Sequence, residues 1–216
     1  NRPLAGVSGD LYDFYKTPDG TNGVGLFDVS GHGISSGLVT MLVKNIIQQE
    51  FTNQQDYELW EIMNIINDRV ITEKGKIQNY LTGILMRIKD SEIEIVNAGH
   101  PYPIIYRKAS GISAFLEKSG EFAGGSIGIS GFPAYYYSQF VHFDRGDEIV
   151  LYTDGISDCE NFEGERFITR AFMEQINNYA NLPLPEQIKQ INRYLKQFRA
   201  DGEIKDDMTM IILRKK

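Results

Sequence analysis

The stretch 24–37, VGLFDVSGHGISSG, limits what this chain can become more than any other. Val24, Leu26 and Phe27 read as a buried β-strand, and the run stops abruptly at Asp28. Glycines and Ser30 follow, and a helical pattern opens at Ile34. A carboxylate at the end of a buried strand is costly unless something positive meets it. The chain repeats the arrangement. Asp154 follows the run 149–153, IVLYT; Asp206 and Asp207 precede 208–213, MTMIIL; Asp10 follows Ser8-Gly9 at the head of a Tyr/Phe-rich segment. These acids are expected to gather at one end of a sheet and to bind divalent metal.

Taken in order, the chain alternates pairs of strands with pairs of helices. Residues 10–16 and 23–29 form a hairpin around Pro18-Asp19-Gly20, and its open end carries both Asp10 and Asp28. Period two sends Asp10 and Asp13 to opposite faces, so they do not share a site. Leu38, Leu42 and Ile46 recur at helical spacing over 34–51, with Val39, Val43 and Ile47 alongside. Leu59, Ile62, Met63, Ile66 and Val70 do the same over 57–72. Strands follow at 80–88, 93–98 and 102–107, with a further hairpin at Gly111. The Gly-rich stretch 119–131 reads as a loop. Residues 135–143 and 148–153 read as a hairpin across the turn 144–147. Helices are expected over 167–179 and from Pro185 through Phe198, and a closing strand over 208–214. Antiparallel strands in runs, with helices in pairs, argue for α+β and against a parallel βαβ sheet.

Composition removes several functions. The 216 residues suffice for one full domain with a sizeable core. A net charge of -7 speaks against a nucleic-acid groove or a polybasic membrane patch. No apolar stretch approaches the ~18 residues of a spanning helix. Cys159 is the sole cysteine, so no internal disulfide forms and a reducing, cytoplasmic compartment is expected. The chain begins at Asn1 without Met or a signal pattern, as a piece of a longer or processed protein would.

Each Asp alone is a common turn residue. Together, Asp10, Asp28, Asp154 and Asp206 would repel one another and raise each other's pKa unless a cation joins them. Mg²⁺ and Mn²⁺ prefer such oxygen ligands, whereas three histidines and one cysteine disfavour zinc. Two ions about 3.5–4 Å apart could acidify a shared water for in-line attack on phosphorus, with Asp28 and Asp154 acting through that water. No G-x-x-x-x-G-K-[ST] run is present, which sets aside P-loop hydrolysis. Cys159 lacks the spacing to arginine of the Cys-x5-Arg loop and reads as a buried structural residue. His32 and His100 lie in glycine-flanked turns, where a histidine more often bonds local backbone; His32 is kept as the candidate general acid. Ser30 lacks the G-x-S-x-G context of a serine hydrolase.

Five segments, SGDLYDF, FDVSGHGISSGLVTM, NAGHPYPI, RGDEIVLYTDGISD and KDDMTMIIL, stand in the order seen in SpoIIE/RsbU-type phosphatases. The chain resembles these bacterial members of the metal-dependent (PPM, type-2C-like) serine/threonine protein phosphatases along nearly its whole length. The resemblance implies a four-layer αββα sandwich of two antiparallel sheets, formed by 1–216 as a single phosphatase domain. It implies two Mn²⁺ or Mg²⁺ ions and hydrolysis of phosphoserine or phosphothreonine. Carried over by motif, Asp10, Asp28, Asp154 and Asp206 are the carboxylate ligands, Asp28 bridges, and the Val29 backbone carbonyl completes one ion. Asp207 takes a supporting role. The usual Gly-Gly-Asp is Ser8-Gly9-Asp10 here, the usual Glu is Asp158, and Cys159 replaces a common Ala; none of these removes a ligand.

By the same resemblance the substrate is a phosphorylated protein of bacterial partner-switching signalling, with a STAS-domain anti-sigma factor antagonist as the expected one. The domain would then be the C-terminal output of a longer protein, membrane-anchored or not, and a homodimer is compatible with it. Two alternatives remain open: a silent pseudophosphatase that binds metal or a partner without turnover, and a metal-dependent phosphodiesterase.

Overall fold

The computed structural model describes residues 8–17, 20, 22–31, 33–116, 124–161, 163–167, 170–200 and 205–216. The chain forms two compact units, one holding Ala5–His100 and Lys118–His142, the other Pro101–Glu117 and Phe143–Lys216. Each contains one antiparallel sheet with helices packed on it, which is the expected α+β class.

In the first unit the sheet order is β1-β2-β3-β4-β7, from β1 (Asp10–Lys16), β2 (Asn22–Val29), β3 (Leu81–Lys89), β4 (Glu92–Ala98) and β7 (Gln139–His142). Helices α1 (Ile34–Asn53) and α2 (Leu59–Lys74) cover one face. Their core joins Phe27, Val29, Leu81, Leu85 and Val96 of the sheet to Val43, Ile47, Ile62 and Ile66 of the helices. Each such side chain contributes about 1.5–3 kcal/mol on burial. Two glycines admit aromatic rings: a Cβ on Gly83 would stand 2.0 Å from Phe27 Cδ1, and one on Gly23 2.2 Å from Phe51 Cζ. Val24, Leu26, Ile84, Met86 and Ile95, on the alternate positions, are buried as well, so this sheet is apolar on both faces.

α2 starts in a capping box, Glu58 with Glu61, and every residue of its expected stripe is buried. α1 differs from expectation. Its inward residues are Val39, Val43, Ile46, Ile47 and Phe51, while Leu38 and Met41 are exposed. Two apolar rows lie side by side on this helix, and periodicity alone does not say which one faces the sheet. The Glu50 carboxylate of α1 accepts from Arg69 of α2 at 2.6 Å and fixes the helix pair.

The second unit has the order β6-β5-β8-β9, from β5 (Ile104–Arg107), β6 (Ile112–Phe115), β8 (Glu148–Tyr152) and β9 (Met210–Arg214). A four-residue helix α3 (Asp154–Ser157) follows β8 directly; α4 (Arg170–Tyr179) and α5 (Leu184–Arg199) complete the unit. Phe167, Phe172, Ile176 and Ile191 pack on Ile104, Val150 and Ile212. Glu148, fully buried, accepts from Arg214 at 2.6 Å and from Gln187 at 2.7 Å, tying β8, β9 and α5 together. Cys159 is buried, as expected of a structural residue.

The expected hairpin of 135–143 with 148–153 does not form. The turn itself exists, with Asp147 N–H donating to the Asp144 carbonyl at 2.9 Å. However, β7 pairs with β4, whereas β8 pairs with β5 and β9. The Asp147 carboxylate accepts from Arg107 (2.8 Å) and from the Lys108 N–H (2.9 Å), anchoring the turn to the end of β5. Residues 18–19, 119–123 and 168–169, within the expected first turn, Gly-rich loop and third helix, lie outside the described residues, as does His32. Among the described residues no helix is long and apolar enough to cross a membrane.

Candidate metal-binding site

In the first unit, Asp10 and Asp28 are direct Cα partners in the β1–β2 ladder. Opposed residues of an antiparallel pair share a face. Alternation places them with Val24 and Leu26, on the face opposite α1 and α2. Asp13 falls on the helix side, where it pairs with Lys44 of α1 at 3.3 Å. The separation of Asp10 from Asp13 expected from period two is therefore observed.

The backbone around the pair is held from several directions. The Val29 N–H donates to the Gly9 carbonyl at 3.2 Å, and the Asp10 N–H to Ser8 Oγ at 3.2 Å. A Cβ on Gly9 would stand 3.0 Å from the Val29 carbonyl oxygen and 3.7 Å from Asp28 Oδ1. Glycine there keeps that oxygen and that carboxylate uncrowded. Beyond β2, Ser30 is clasped by the loop before β3. Its N–H donates to the Tyr80 carbonyl (2.8 Å), its Oγ accepts the Tyr80 N–H (2.9 Å), and Asn79 Nδ2 donates to its carbonyl. Gly31 and Gly33, at φ +83° and +84°, turn the chain from this clasp into α1.

His100 is buried and its Nδ1 lies 2.9 Å from Thr82 Oγ1. Thr82 is the β3 partner of Asp28, so Asp10, Asp28 and Thr82 form one row across three strands, with the imidazole at its end. Asn97 brackets the same residue, accepting the His100 N–H at 2.8 Å and donating to its carbonyl at 2.9 Å. The turn reading of His100 thus matches its backbone bonds. Its side chain adds a contact to the aspartate row that no local pattern announced.

In the second unit, Thr153 and Thr209 lock β8 to β9 just before α3. The Thr153 N–H donates to the Thr209 carbonyl, and the Thr209 N–H to Thr153 Oγ1, both at 3.0 Å. Asp154 opens α3, and its carbonyl accepts the Asp158 N–H at 2.7 Å. Gly155 lies against the segment 206–207: a Cβ there would stand 1.9 Å from the Asp207 carbonyl oxygen. Asp206 is exposed, and its Oδ1 accepts the Asp207 N–H at 2.8 Å; Asp207 itself is buried.

Each unit therefore brings two of the four sequence-identified aspartates to one locality. Among the described residues, no group of three or more His, Cys, Asp or Glu stands together as a metal cage. The donors nevertheless suit a hard cation. Two carboxylates directly opposed on a ladder repel each other, and a divalent ion reverses that repulsion. The neighbouring Val29 carbonyl adds another oxygen, which Mg²⁺ and Mn²⁺ favour. Asn79, Thr82, Thr153 and Thr209 support these positions and were not singled out from sequence, and Ser30 was weighed there only as a nucleophile. Their roles arise from pairings 50 or so residues apart, which leave no local signature.

The family model described as Stage II sporulation protein E (SpoIIE) matches residues 18–216. The chain is 29% identical over 157 residues to the phosphoserine phosphatase RsbP of Bacillus subtilis, covering 70% of this chain and 37% of that protein. It is 27% identical over 218 residues to the phosphoserine phosphatase RsbU of the same organism, covering 99% of this chain and 61% of that protein. It thus spans between about a third and three-fifths of these relatives. Among solved structures, the SiaA-PP2C domain of Pseudomonas aeruginosa superposes with a TM-score of 0.85 at 21% identity, over 100% of this chain and 84% of that one. The chain is a SpoIIE/RsbU-type member of the metal-dependent PPM protein phosphatase family.

Proposed function

We propose that this chain is a metal-dependent serine/threonine phosphoprotein phosphatase, with 1–216 as a single catalytic domain. Asp10, Asp28, the Val29 carbonyl, Asp154 and Asp206 are the proposed ligands of two Mn²⁺ or Mg²⁺ ions. When bound, such ions polarise a phosphoryl oxygen and acidify water at neutral pH. The chain's own part is positioning. Asp28 lies between Asp10 and Thr82 on the ladder, and would be one of the residues that hold a bound ion. Gly9 leaves the Val29 oxygen uncrowded. The Thr153–Thr209 lock holds Asp154 in register with the segment that carries Asp206. His32 is assigned the proton for the departing serine or threonine oxygen.

The observation that carries this reading is the register of Asp10 against Asp28. The names of RsbP and RsbU as phosphoserine phosphatases support the reaction. A STAS-domain antagonist of an anti-sigma factor is the proposed substrate, and the cytoplasm, where Cys159 stays reduced, the proposed location. The test is phosphate release from a phosphoserine peptide with Mn²⁺ and with EDTA, in the wild type and in Asp28→Asn. The reading requires release that EDTA and Asp28→Asn both abolish. Metal binding with no release from any phosphomonoester would make the chain a binding module, and release from diesters alone a phosphodiesterase.

A further inference from the structure

We propose that the groove between α5 and the start of β9 docks an acidic, apolar-anchored segment of the phosphoprotein substrate. The groove encloses about 340 Å³ and is walled by Ile156, Leu195, Lys196, Arg199, Met208 and Met210. Its identification with substrate docking rests on the phosphatase reading; its affinity for an acidic segment does not.

Charge is the first argument. The chain carries a net -7, yet α5 reverses that sign locally. Beyond its first turn α5 bears Lys189, Arg193, Lys196 and Arg199, and its one acid is Glu186, which Lys189 meets at 3.6 Å. The basic groups that line the groove are Lys196 and Arg199. Among the described residues, no acidic side chain lines it. Among the described residues, Arg199 Nε is buried with no hydrogen-bond partner. A desolvated guanidinium donor gains most from a carboxylate acceptor.

The floor is the second argument. Leu195, Ile156 and two methionines offer apolar surface, and methionine adapts its shape to varied side chains. Such a groove takes a segment that alternates acids with Leu or Met. Position is the third. Ile156 lies two residues after Asp154, and Met208 two residues after Asp206. The walls are thus continuous with the backbone that carries two proposed ligands. An extended chain covers about 3.3–3.6 Å per residue, so a docked segment would lie a few residues from the phosphorylated one.

The test is fluorescence anisotropy with a labelled, unphosphorylated decapeptide of alternating Glu and Leu, beside its Lys-for-Glu counterpart. The wild type should bind the acidic peptide at least about tenfold tighter than the basic one, with affinity falling as salt rises. The double variant Lys196→Glu, Arg199→Glu should lose the acidic peptide by a similar factor and gain the basic one, a reversal that misfolding would not produce. Equal binding of both peptides, or an acidic peptide still held by the double variant, overturns the proposal. So does a wild-type dimer that the double variant dissolves, since the groove would then be filled by a second copy. The readout involves no turnover, so a chain without phosphatase activity that passes this test sinks the reaction and not the groove.

Discussion

Asp10 and Asp28 stand directly opposite each other in the β1–β2 ladder, two carboxylates on a sheet face that also carries the buried Val24, Leu26, Ile84 and Met86. Like charges in that relation destabilise a sheet, and a bound divalent cation turns the same relation into binding energy.

Removing one charge should therefore help the metal-free fold. In EDTA, Asp28→Asn should be more stable than the wild type by up to about 1 kcal/mol, or about 2–4 °C for a chain of this size. With Mn²⁺ at a hundred times its Kd the wild type should gain about 2.7 kcal/mol, and the variant much less. Differential scanning calorimetry in the two buffers measures both effects. A variant less stable in EDTA would show that the carboxylate serves structure instead.

Gly155 leaves no room for a side chain, because a Cβ would stand 1.9 Å from the Asp207 carbonyl oxygen. Gly155→Ala should push the 206–207 segment away from α3 and cost about 1–3 kcal/mol. Urea denaturation gives the stability, and Mn²⁺ titration of the same protein should show weakened binding. A variant indistinguishable from the wild type in both would contradict the packing described.

Asp147 makes stability depend on acid. Burial by itself would raise its pKa, but the Lys108 N–H, the Arg107 guanidinium and the Asp144 N–H outweigh burial and hold it below the ordinary carboxylate value. A depressed folded pKa contributes stability that is complete above the unfolded value, about 4, and is lost as pH falls through the lower folded value. Asp147→Asn should cost about 1–2 kcal/mol at pH 7, allowing for the partly exposed Arg107. The deficit should shrink below about pH 4. Chemical denaturation at pH 7 and pH 3 checks the sign.

Glu148 is buried between Arg214 and Gln187. Glu148→Ala leaves the arginine without its buried partner and should cost about 3–5 kcal/mol. Glu148→Gln, which keeps an acceptor, should cost less. The order of the two melting temperatures tests whether the carboxylate or the shape holds α5 to β9.

Much of this was legible in the sequence where the signal is local. The β1–β2 hairpin set Asp10 beside Asp28 because a short turn fixes register. The α2 stripe was readable because one apolar row dominates that helix. The inward face of α1 was not, since its two apolar rows differ only in what the sheet presents to them. The partner of β7 was misjudged because Asp147 binds the end of β5, a relation 40 residues apart in sequence. α3 spans four residues, too few for any period to show. Thr82 and His100 meet through strand order alone, which no spacing encodes.

The most direct test of the proposed metal centre is calorimetric titration of Mn²⁺ into the wild type, Asp28→Asn, Asp154→Asn and the double variant. Residues serving one centre couple, whereas independent sites add. The account predicts about two ions per wild-type chain, a loss of at least about tenfold in affinity for each single variant, and a double variant scarcely worse than either. Wild-type affinity in Asp154→Asn, or losses that simply add, would contradict it.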